Sequence, residues 1–387
     1  MPRTPRLRLA AVTLLALVLG LNALSTRQTA AQSPAYTLVD LGPLAATDEA
    51  TAACADFLGG NVRAINASGQ VTGATAWSDR ASAAFRATDG KVKPLKSGKG
   101  GGVGLDINVD GQVVGEITDA RNTDPCDFSG IPSTHAVTWV AGGLTELPVG
   151  GAKSSQATAI NDDGIIVGHY IVEETVTEER EGGGTSSSTS FIPQPVIWRD
   201  GEMEELPIPD GADEALGARP VDINARGQIV GQLRGLNSSD FVGSVLWDGD
   251  EAALLPDGFL ADAINDDGVI VGTTGTADEG FSAVRLVDGE LEALPGIPDD
   301  ATQSQVYAVN ADGDMVGIVG VPGEGDETVY TSVVWLDDEM IDLATLLPAD
   351  AGFEPGRLVA INDAGMILGY GRTDDDYHGI VLVPEGI

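Results

Sequence analysis

Apolar and polar positions along this chain follow one short rule that recurs seven times. A β-branched residue (Ile65, Ile107, Ile160, Ile223, Ile264, Val309, Ile361) stands before an asparagine, and a small residue or an aspartate stands before that (Ala64, Asp106, Ala159, Asp222, Ala263, Ala308, Ala360). The asparagines are Asn66, Asn108, Asn161, Asn224, Asn265, Asn310 and Asn362. Three residues after each comes a glycine: Gly69, Gly111, Gly164, Gly227, Gly268, Gly313 and Gly365. Seven residues after each comes another: Gly73, Gly115, Gly168, Gly231, Gly272, Gly317 and Gly369. Period-two alternation with β-branched residues predicts a strand on each side of the asparagine. Asn-x-x-Gly predicts a tight hairpin turn between them, because an asparagine side chain bonds the backbone two residues on and glycine accepts positive φ. The later glycine predicts a close approach of two backbones.

Two more apolar pieces complete each unit. The third ends near a tryptophan, as in Ala136-Val137-Thr138-Trp139, Pro195-Val196-Ile197-Trp198, Ser244-Val245-Leu246-Trp247 and Ser332-Val333-Val334-Trp335. Ala87, Leu286 and Leu382 take the tryptophan's place in the other units. A turn such as Asp89-Gly90, Asp200-Gly201 or Asp288-Gly289 leads to the fourth, which often ends in Leu-Pro (Leu147-Pro148, Leu206-Pro207, Leu255-Pro256, Leu294-Pro295). A proline there blunts an outer edge without costing a ladder bond. Successive asparagines lie 42, 53, 63, 41, 45 and 52 residues apart. Four strands at that spacing predict an all-β fold, a single seven-bladed β-propeller of four-stranded blades. The small residues beside the asparagine strand place it innermost.

The seventh unit has no fourth piece after Ile380-Val381-Leu382-Val383, whereas Leu38-Val39-Asp40-Leu41-Gly42 matches the missing pattern at the other end. Segment 36–44 is therefore expected to complete blade 7 and close the ring. An open solenoid, or two smaller propellers, would leave that orphan strand unexplained. The long insertions fall between the second and third strands (116–134, 169–194, 232–243, 318–331) or between blades (210–219, 297–305, 349–357). In antiparallel blades these connections emerge on one face, which makes that face the functional candidate. The low-complexity stretch 181–190 reads as a flexible tip.

Composition adds a destination. Arg3, Arg6 and Arg8 precede an apolar run from Leu9 to Leu24, and Thr29-Ala30-Ala31 offers small residues for cleavage. This is the layout of a secretory signal peptide over 1–31, cut near Ala31 or at Ser33, leaving the propeller over 32–387. The run is short for a membrane-spanning helix. Cys54 and Cys126, the two cysteines, both fall on the elaborate face of adjacent blades and are expected to pair in an exported chain. The net charge of the full chain is −38. Losing Arg3, Arg6, Arg8 and Arg27 leaves 17 basic against 59 acidic residues, or −42. Such a surface repels nucleic acid and anionic membranes. Four of the five lysines lie together, at Lys91, Lys93, Lys96 and Lys99.

Candidate chemistry is sparse. His135 and His378 occupy the same repeat position, just before the third strand, and read as a partial ligand set or as repeat relics. His169 and Tyr170 follow a second strand on the elaborate face. Asp374-Asp375-Asp376, Asp299-Asp300 and Asp162-Asp163 are oxygen-rich enough to suggest calcium, although none has EF-hand spacing; Asp162-Asp163 and Asp266-Asp267 sit in the two-residue turn, where turn chemistry explains them. The asparagines read as turn residues and not as a glycan-binding ring. Asn66-Ala67-Ser68 and Asn237-Ser238-Ser239 match the glycosylation sequon. No catalytic set and no cofactor motif is recognisable.

The repeat resembles the extracellular HAF-repeat family, whose units read Ile-Asn-x-x-Gly-x-Ile-Val-Gly, then His-Ala-Phe, then an apolar strand with tryptophan. His135-Ala136-Val137, Ala83-Ala84-Phe85 and His378-Gly379-Ile380 match the middle triplet incompletely, and Leu38-Val39-Asp40-Leu41-Gly42 resembles the family's leading Asp-Leu-Gly segment. The resemblance covers 36–387. It implies export and a repeat architecture, and brings no reaction or catalytic residue. The expectation for function is a secreted, monomeric binding scaffold that engages an extracellular protein or glycan through one face. A structural repeat protein and a polysaccharide-acting hydrolase or lyase are the alternatives.

Overall fold

A computed structural model describes residues 36–44, 61–76, 82–119, 133–180, 184–212, 217–235, 241–276, 280–325, 327–347, 352–373 and 376–385. The expected signal segment, Cys54 and Cys126, Asn237, and Asp374 with Asp375 lie outside these residues. The chain forms a seven-bladed β-propeller, each blade a four-stranded antiparallel sheet.

In chain order, blade 1 is β2 (Asn61–Ile65), β3 (Val71–Ala76), β4 (Ser82–Thr88) and β5 (Lys91–Pro94). Blade 2 is β6 (Gly101–Ile107), β7 (Val113–Thr118), β8 (Thr134–Val140) and β9 (Gly143–Glu146). Blade 3 is β10 (Ser155–Ile160), β11 (Ile166–Arg180), β12 (Gly184–Arg199) and β13 (Glu202–Glu205). Blade 4 is β14 (Gly217–Ile223), β15 (Ile229–Arg234), β16 (Phe241–Asp248) and β17 (Glu251–Leu254). Blade 5 is β18 (Phe259–Ile264), β19 (Ile270–Thr276), β20 (Gly280–Val287) and β21 (Glu290–Ala293). Blade 6 is β22 (Gln303–Val309), β23 (Met315–Pro322), β24 (Thr328–Leu336) and β25 (Glu339–Asp342), followed by a single helical turn α1 (Leu343–Leu346). Blade 7 is β26 (Glu354–Ile361), β27 (Ile367–Arg372) and β28 (Tyr377–Pro384), and β1 (Tyr36–Pro43) supplies its outer strand.

The closure is antiparallel, with Leu38 opposite Leu382 and Asp40 opposite Ile380. The asparagine strands are innermost: each contacts the inner strand of the next blade, and β26 meets β2. The core is a circle of inter-blade clusters. One joins Val167 and Ile197 of blade 3 to Ile223, Ile229 and Trp247 of blade 4. Another joins Val316 and Val334 of blade 6 to Leu358 and Leu382 of blade 7. Apolar residues on both blade faces are what a stack of sheets requires, since each blade buries one face against each neighbour.

Tryptophan pins the outer half of this stack. The indole Nε1 of Trp198, Trp247 and Trp335 donates to the carbonyl of Pro148, Pro207 and Pro295 in the preceding blade, at 2.7–2.9 Å. Trp139 reaches the Lys96 carbonyl in the same way. The Leu-Pro ending therefore does more than blunt an edge, because its carbonyl accepts the next blade's indole.

The elaborate face is built of ribbons. β11 and β12 run on past the blade as a two-stranded ladder that pairs His169 with Pro195 and continues to Arg180 opposite Gly184. Residues 184–190 thus belong to a strand, not to the flexible tip that their composition suggests. A partner strand supplies every second backbone bond, and the Thr175 and Thr189 hydroxyls meet across it at 3.0 Å. β23 and β24 form a second, shorter ribbon, pairing as far as Pro322 and Thr328.

Candidate functional site along the propeller axis

The inner strands bring the repeat's polar positions to the axis, and they make two different ends. At the turn end the seven asparagines form a closed ring. Each Nδ2 donates to the main-chain carbonyl of the next blade's asparagine: Asn66 to Asn108, Asn108 to Asn161, Asn161 to Asn224, Asn224 to Asn265, Asn265 to Asn310, Asn310 to Asn362, and Asn362 back to Asn66, at 2.7–3.3 Å. Each Oδ1 accepts the amide four residues on, such as Ile165 N or Met366 N. In four units it also accepts the amide two residues on. Each carbonyl takes the glycine amide of its own turn, as in Gly164 N to Asn161 O at 3.0 Å. The glycines of these turns hold φ between 69° and 85°, the left-handed region where a side chain is strained.

All seven asparagines are buried. Reading them as turn residues explains Oδ1 and leaves Nδ2 out. The missed part is the bond from blade to blade, and the signal for it was the identity of the residue. Many polar residues suit a turn, whereas only an amide both accepts locally and donates outward. With Nδ2 committed to the ring, Asn66 is not an open glycosylation acceptor.

Aspartates reinforce the ring end. Asp106 accepts its own strand's Ile107 amide and the Ile160 amide of blade 3, both at 2.8 Å. Asp222 does the same for Ile223 and for Ile264 of blade 5. Burial pushes Asp106 up to about 7 and Asp222 up to about 6, and their mutual repulsion adds to the rise in Asp106. Asp162, Asp266 and Asp363 each accept an amide of the preceding blade, from Val109, Ala225 and Ala311, at 2.8 Å. They rim a shallow cavity of about 160 Å³ at the axis with Asn161, Asn224 and Asn265. The carboxylates of Asp162, a calcium candidate, and of Asp266, a turn residue, are thus both engaged across blades, and among the described residues no group of three or more His, Cys, Asp or Glu is placed to hold a metal ion.

The ribbon end begins at a β-bulge repeated in every blade. The register of the inner strand slips between Val62 and Ala64, Gly104 and Asp106, Ala157 and Ala159, Pro220 and Asp222, Ala261 and Ala263, Val306 and Ala308, and Leu358 and Ala360. The later glycine of the repeat stands opposite: a Cβ on Gly168 would lie 2.0 Å from the Gln156 carbonyl oxygen, and one on Gly272 would lie 1.9 Å from that of Leu260. A bulge re-aims one side chain per blade. Those side chains are Arg63, Leu105, Thr158, Val221, Asp262, Tyr307 and Val359; valine alone occurs twice, and no two neighbouring blades share one.

Around them lie groups unlike the acidic exterior. Glu116 is partly buried and accepts from Gln156 of blade 3 at 2.9 Å, with Arg63 of blade 1 nearby; desolvation raises its pKa. The Arg357 guanidinium stacks on the Tyr307 ring of blade 6 at 4.5 Å. Asp262 sits close enough to perturb Tyr307, and burial pushes it up to about 7. His169 faces Arg219 and Arg234 of blade 4; burial and the two guanidinium groups push it down to about 3, so it is neutral at physiological pH.

His169 does not lie in a loop. It occupies β11, opposite Gln156, and is buried. The ladder simply continues past Gly168, where the repeat motif had marked an end. Tyr170 projects from the opposite side of β11, packs near Val114 and Ala136 of blade 2, and donates to Glu205. The two side chains therefore diverge. His135 lies in β8 and bonds Asp119, and His378 lies in β28 and bonds Asp40, each at 2.8 Å. Both are one residue inside their strands, in blades 2 and 7, and they do not converge.

Fold and axis together define a seven-bladed β-propeller with a closed amide ring at one end and an unrepeated, partly basic lining at the other. No protein-family model matches the sequence, and no curated protein matches it either. Solved structures with similar strand arrangements include an acylaminoacyl peptidase of Pyrococcus horikoshii (14% identity, TM-score 0.46, covering 84% of this chain and 52% of that one). A sialidase of Trypanosoma rangeli aligns at 13% identity and TM-score 0.36, over 76% of this chain and 56% of that one. A putative glucose dehydrogenase of Thermus thermophilus aligns at 12% identity and TM-score 0.32, over 90% of this chain and all of that one. The chain thus spans little more than half the length of the first two. At these levels the likeness carries no argument about activity.

Proposed function

We propose that this chain is an exported binding module of the HAF-repeat type, acting as a monomer that engages an extracellular glycan or protein through its ribbon-bearing face. The observation that carries the reading is the division of labour between the two faces. The turn face spends its polar groups on holding seven blades together, through the asparagine ring and the aspartate caps. The opposite face carries the extended ribbons β11–β12 and β23–β24, and the bulge side chains there differ between neighbouring blades. Rigid scaffolds that vary on one face use that face for recognition.

The ladders suggest conservative deletions. Replacing residues 174–190 with Asn-Gly would rejoin Glu173 to Phe191, which already face each other, and replacing 321–329 would rejoin Gly320 to Tyr330. Two-residue turns of that type suit antiparallel strands. On a panel of defined extracellular glycans and envelope proteins, the wild type should bind at least one member, and the double-shortened variant should bind it at least about tenfold more weakly, a loss of about 1.4 kcal/mol. Equal binding by the two proteins would remove the ribbons from the function. The divergence of His169 from Tyr170 removes the pairing that the hydrolase or lyase reading drew on.

A further inference from the structure

The strongest anomaly on the ribbon side is a group of basic side chains between blades 3 and 4, in which His169 and Arg234 are buried and Arg219 is partly so. Arg219 stands on inner strand β14, and its strand partner Gln232 and the end residue Arg234 stand on β15. His169 on β11 faces the same space. His169 is 6% exposed, and its Nδ1 has no hydrogen-bond partner; the buried Nε of Arg219 has none either. Among the described residues no carboxylate pairs with Arg219 or His169, in a chain that carries 59 acidic residues.

Buried polar atoms without partners are uncommon, and leaving one unmet costs more than a typical bond gains. Nothing in the repeat requires these residues. The positions equivalent to Arg219 hold Asn61, Val103, Gln156, Leu260, Gln305 and Arg357. Those equivalent to His169 hold Ala74, Glu116, Gln232, Thr273, Ile318 and Tyr370. A guanidinium fork and an imidazole N–H converging in a poorly hydrated site are the donors that a planar or tetrahedral oxyanion accepts from.

We propose that this space is an oxyanion site, in which a carboxylate or sulfate group of a ligand seats between His169, Arg219 and Arg234. The inference deepens the binding reading and rests on it for the face from which a ligand approaches. The acidic exterior repels anions in general, so an anion held here is selected by local donors rather than by net charge.

Isothermal titration at ionic strength held constant with sodium chloride tests it, with sodium sulfate, sodium glucuronate and neutral glucose as probes. Wild type should bind sulfate, glucuronate or both at one site and give no heat with glucose. The choice between the two anions names the source of the oxyanion. Arg219→Gln should weaken binding by on the order of tenfold or more, and Arg219→Lys by less, because it keeps the charge and loses the fork. Arg226→Gln, on a turn at the opposite end, should leave binding unchanged. Circular dichroism and a thermal melt establish that each variant is folded, and Arg219→Lys carries the test if Arg219→Gln is not. Absence of binding by both oxyanions would overturn the proposal, as would equal loss in the Arg219 and Arg226 variants. The ribbon-shortened proteins retain all three residues. Oxyanion binding without any ribbon-dependent capture would therefore sink the face reading alone, and the reverse result would sink this one alone.

Discussion

The two ends of the propeller axis are made from the same inner strands and obey opposite rules. At the turn end every blade presents the same asparagine, and each of its side-chain polar atoms is satisfied, one locally and one by the next blade. At the ribbon end, a few residues earlier on the same strands, no two neighbouring blades present the same bulge residue, and buried nitrogens of His169 and Arg219 stand unmet. Repetition marks what the ring needs in every blade. Departure from it marks where one blade does something its neighbours do not. A symmetric scaffold thus reports its functional candidates as the places where its own symmetry fails.

The largest test of that contrast removes one member of the ring. Asn362→Ala at the seam between blades 7 and 1 loses the bonds from Ala364 N and Met366 N and the bond to Asn66 O. Urea denaturation should show a loss of about 2–4 kcal/mol, combining missing bonds with buried amides left unmet. Arg219→Gln at the other end should lower stability by no more than about 1 kcal/mol and can raise it, since it removes a partly buried charge that no carboxylate among the described residues offsets. Equal costs at the two ends would erase the distinction.

A second test uses protons. Asp106 and Asp222 titrate in the folded chain near 7 and 6, well above the ordinary 3.8. Between those values the folded state holds protons that the unfolded chain has released, so their effect is to lower stability as pH rises from about 4 to 7. His169 acts in the opposite sense. Its folded value, near 3, lies below its ordinary 6.5, so stability is lost as pH falls through that window. The two slopes overlap, and only variants separate them. Asp106→Asn should remove roughly 1–3 kcal/mol of the acid-side gain between pH 8 and pH 5, and His169→Gln should instead steepen that gain. Denaturation midpoints at the two pH values decide, and an unchanged slope in Asp106→Asn would show that carboxylate to be already ionised.

How much of this was legible beforehand follows from what each feature depends on. The closure of blade 7 by β1 was readable because Leu38-Val39-Asp40-Leu41 carries its own alternation and turn. The ring was not, because each Nδ2 meets a main-chain carbonyl 41 to 63 residues away, or 296 across the seam, and a carbonyl looks the same in every residue. Residues 184–190 were misread because serine, threonine and glycine suit both an open tip and a paired ribbon, and only the facing strand decides. His169 was misplaced because Gly168 ends the motif without ending the ladder. Arg219 left no local signal at all. Its only trace was that its counterparts in the other blades are mostly different residues.

A third measurement reads the basic group directly. Arg219 is one of the two cations that hold His169 below its ordinary value, after burial. Arg219→Gln should therefore raise the His169 titration, followed by imidazole proton resonances against pH. A titration that does not move would separate Arg219 from His169 and leave the oxyanion site without its floor.

The smallest effect belongs to the exposed side of the ring end. Arg226 sits in the blade 4 turn, where its Nε donates to the Asp266 carbonyl and its guanidinium lies 3.8 Å from Asp267. Half of its side chain is in solvent, so water screens the pair and competes for both partners. The turn itself is held without it, by Asn224 accepting the Gln228 amide and by Asp266 capping Ala225. Arg226→Gln should accordingly cost no more than about 0.5 kcal/mol in urea denaturation and less in added salt. A loss near that of Asn362→Ala would mean that the ring end depends on surface charge as well as on its buried amides. The turn face would then no longer be the uniform structural half against which the ribbon face is read.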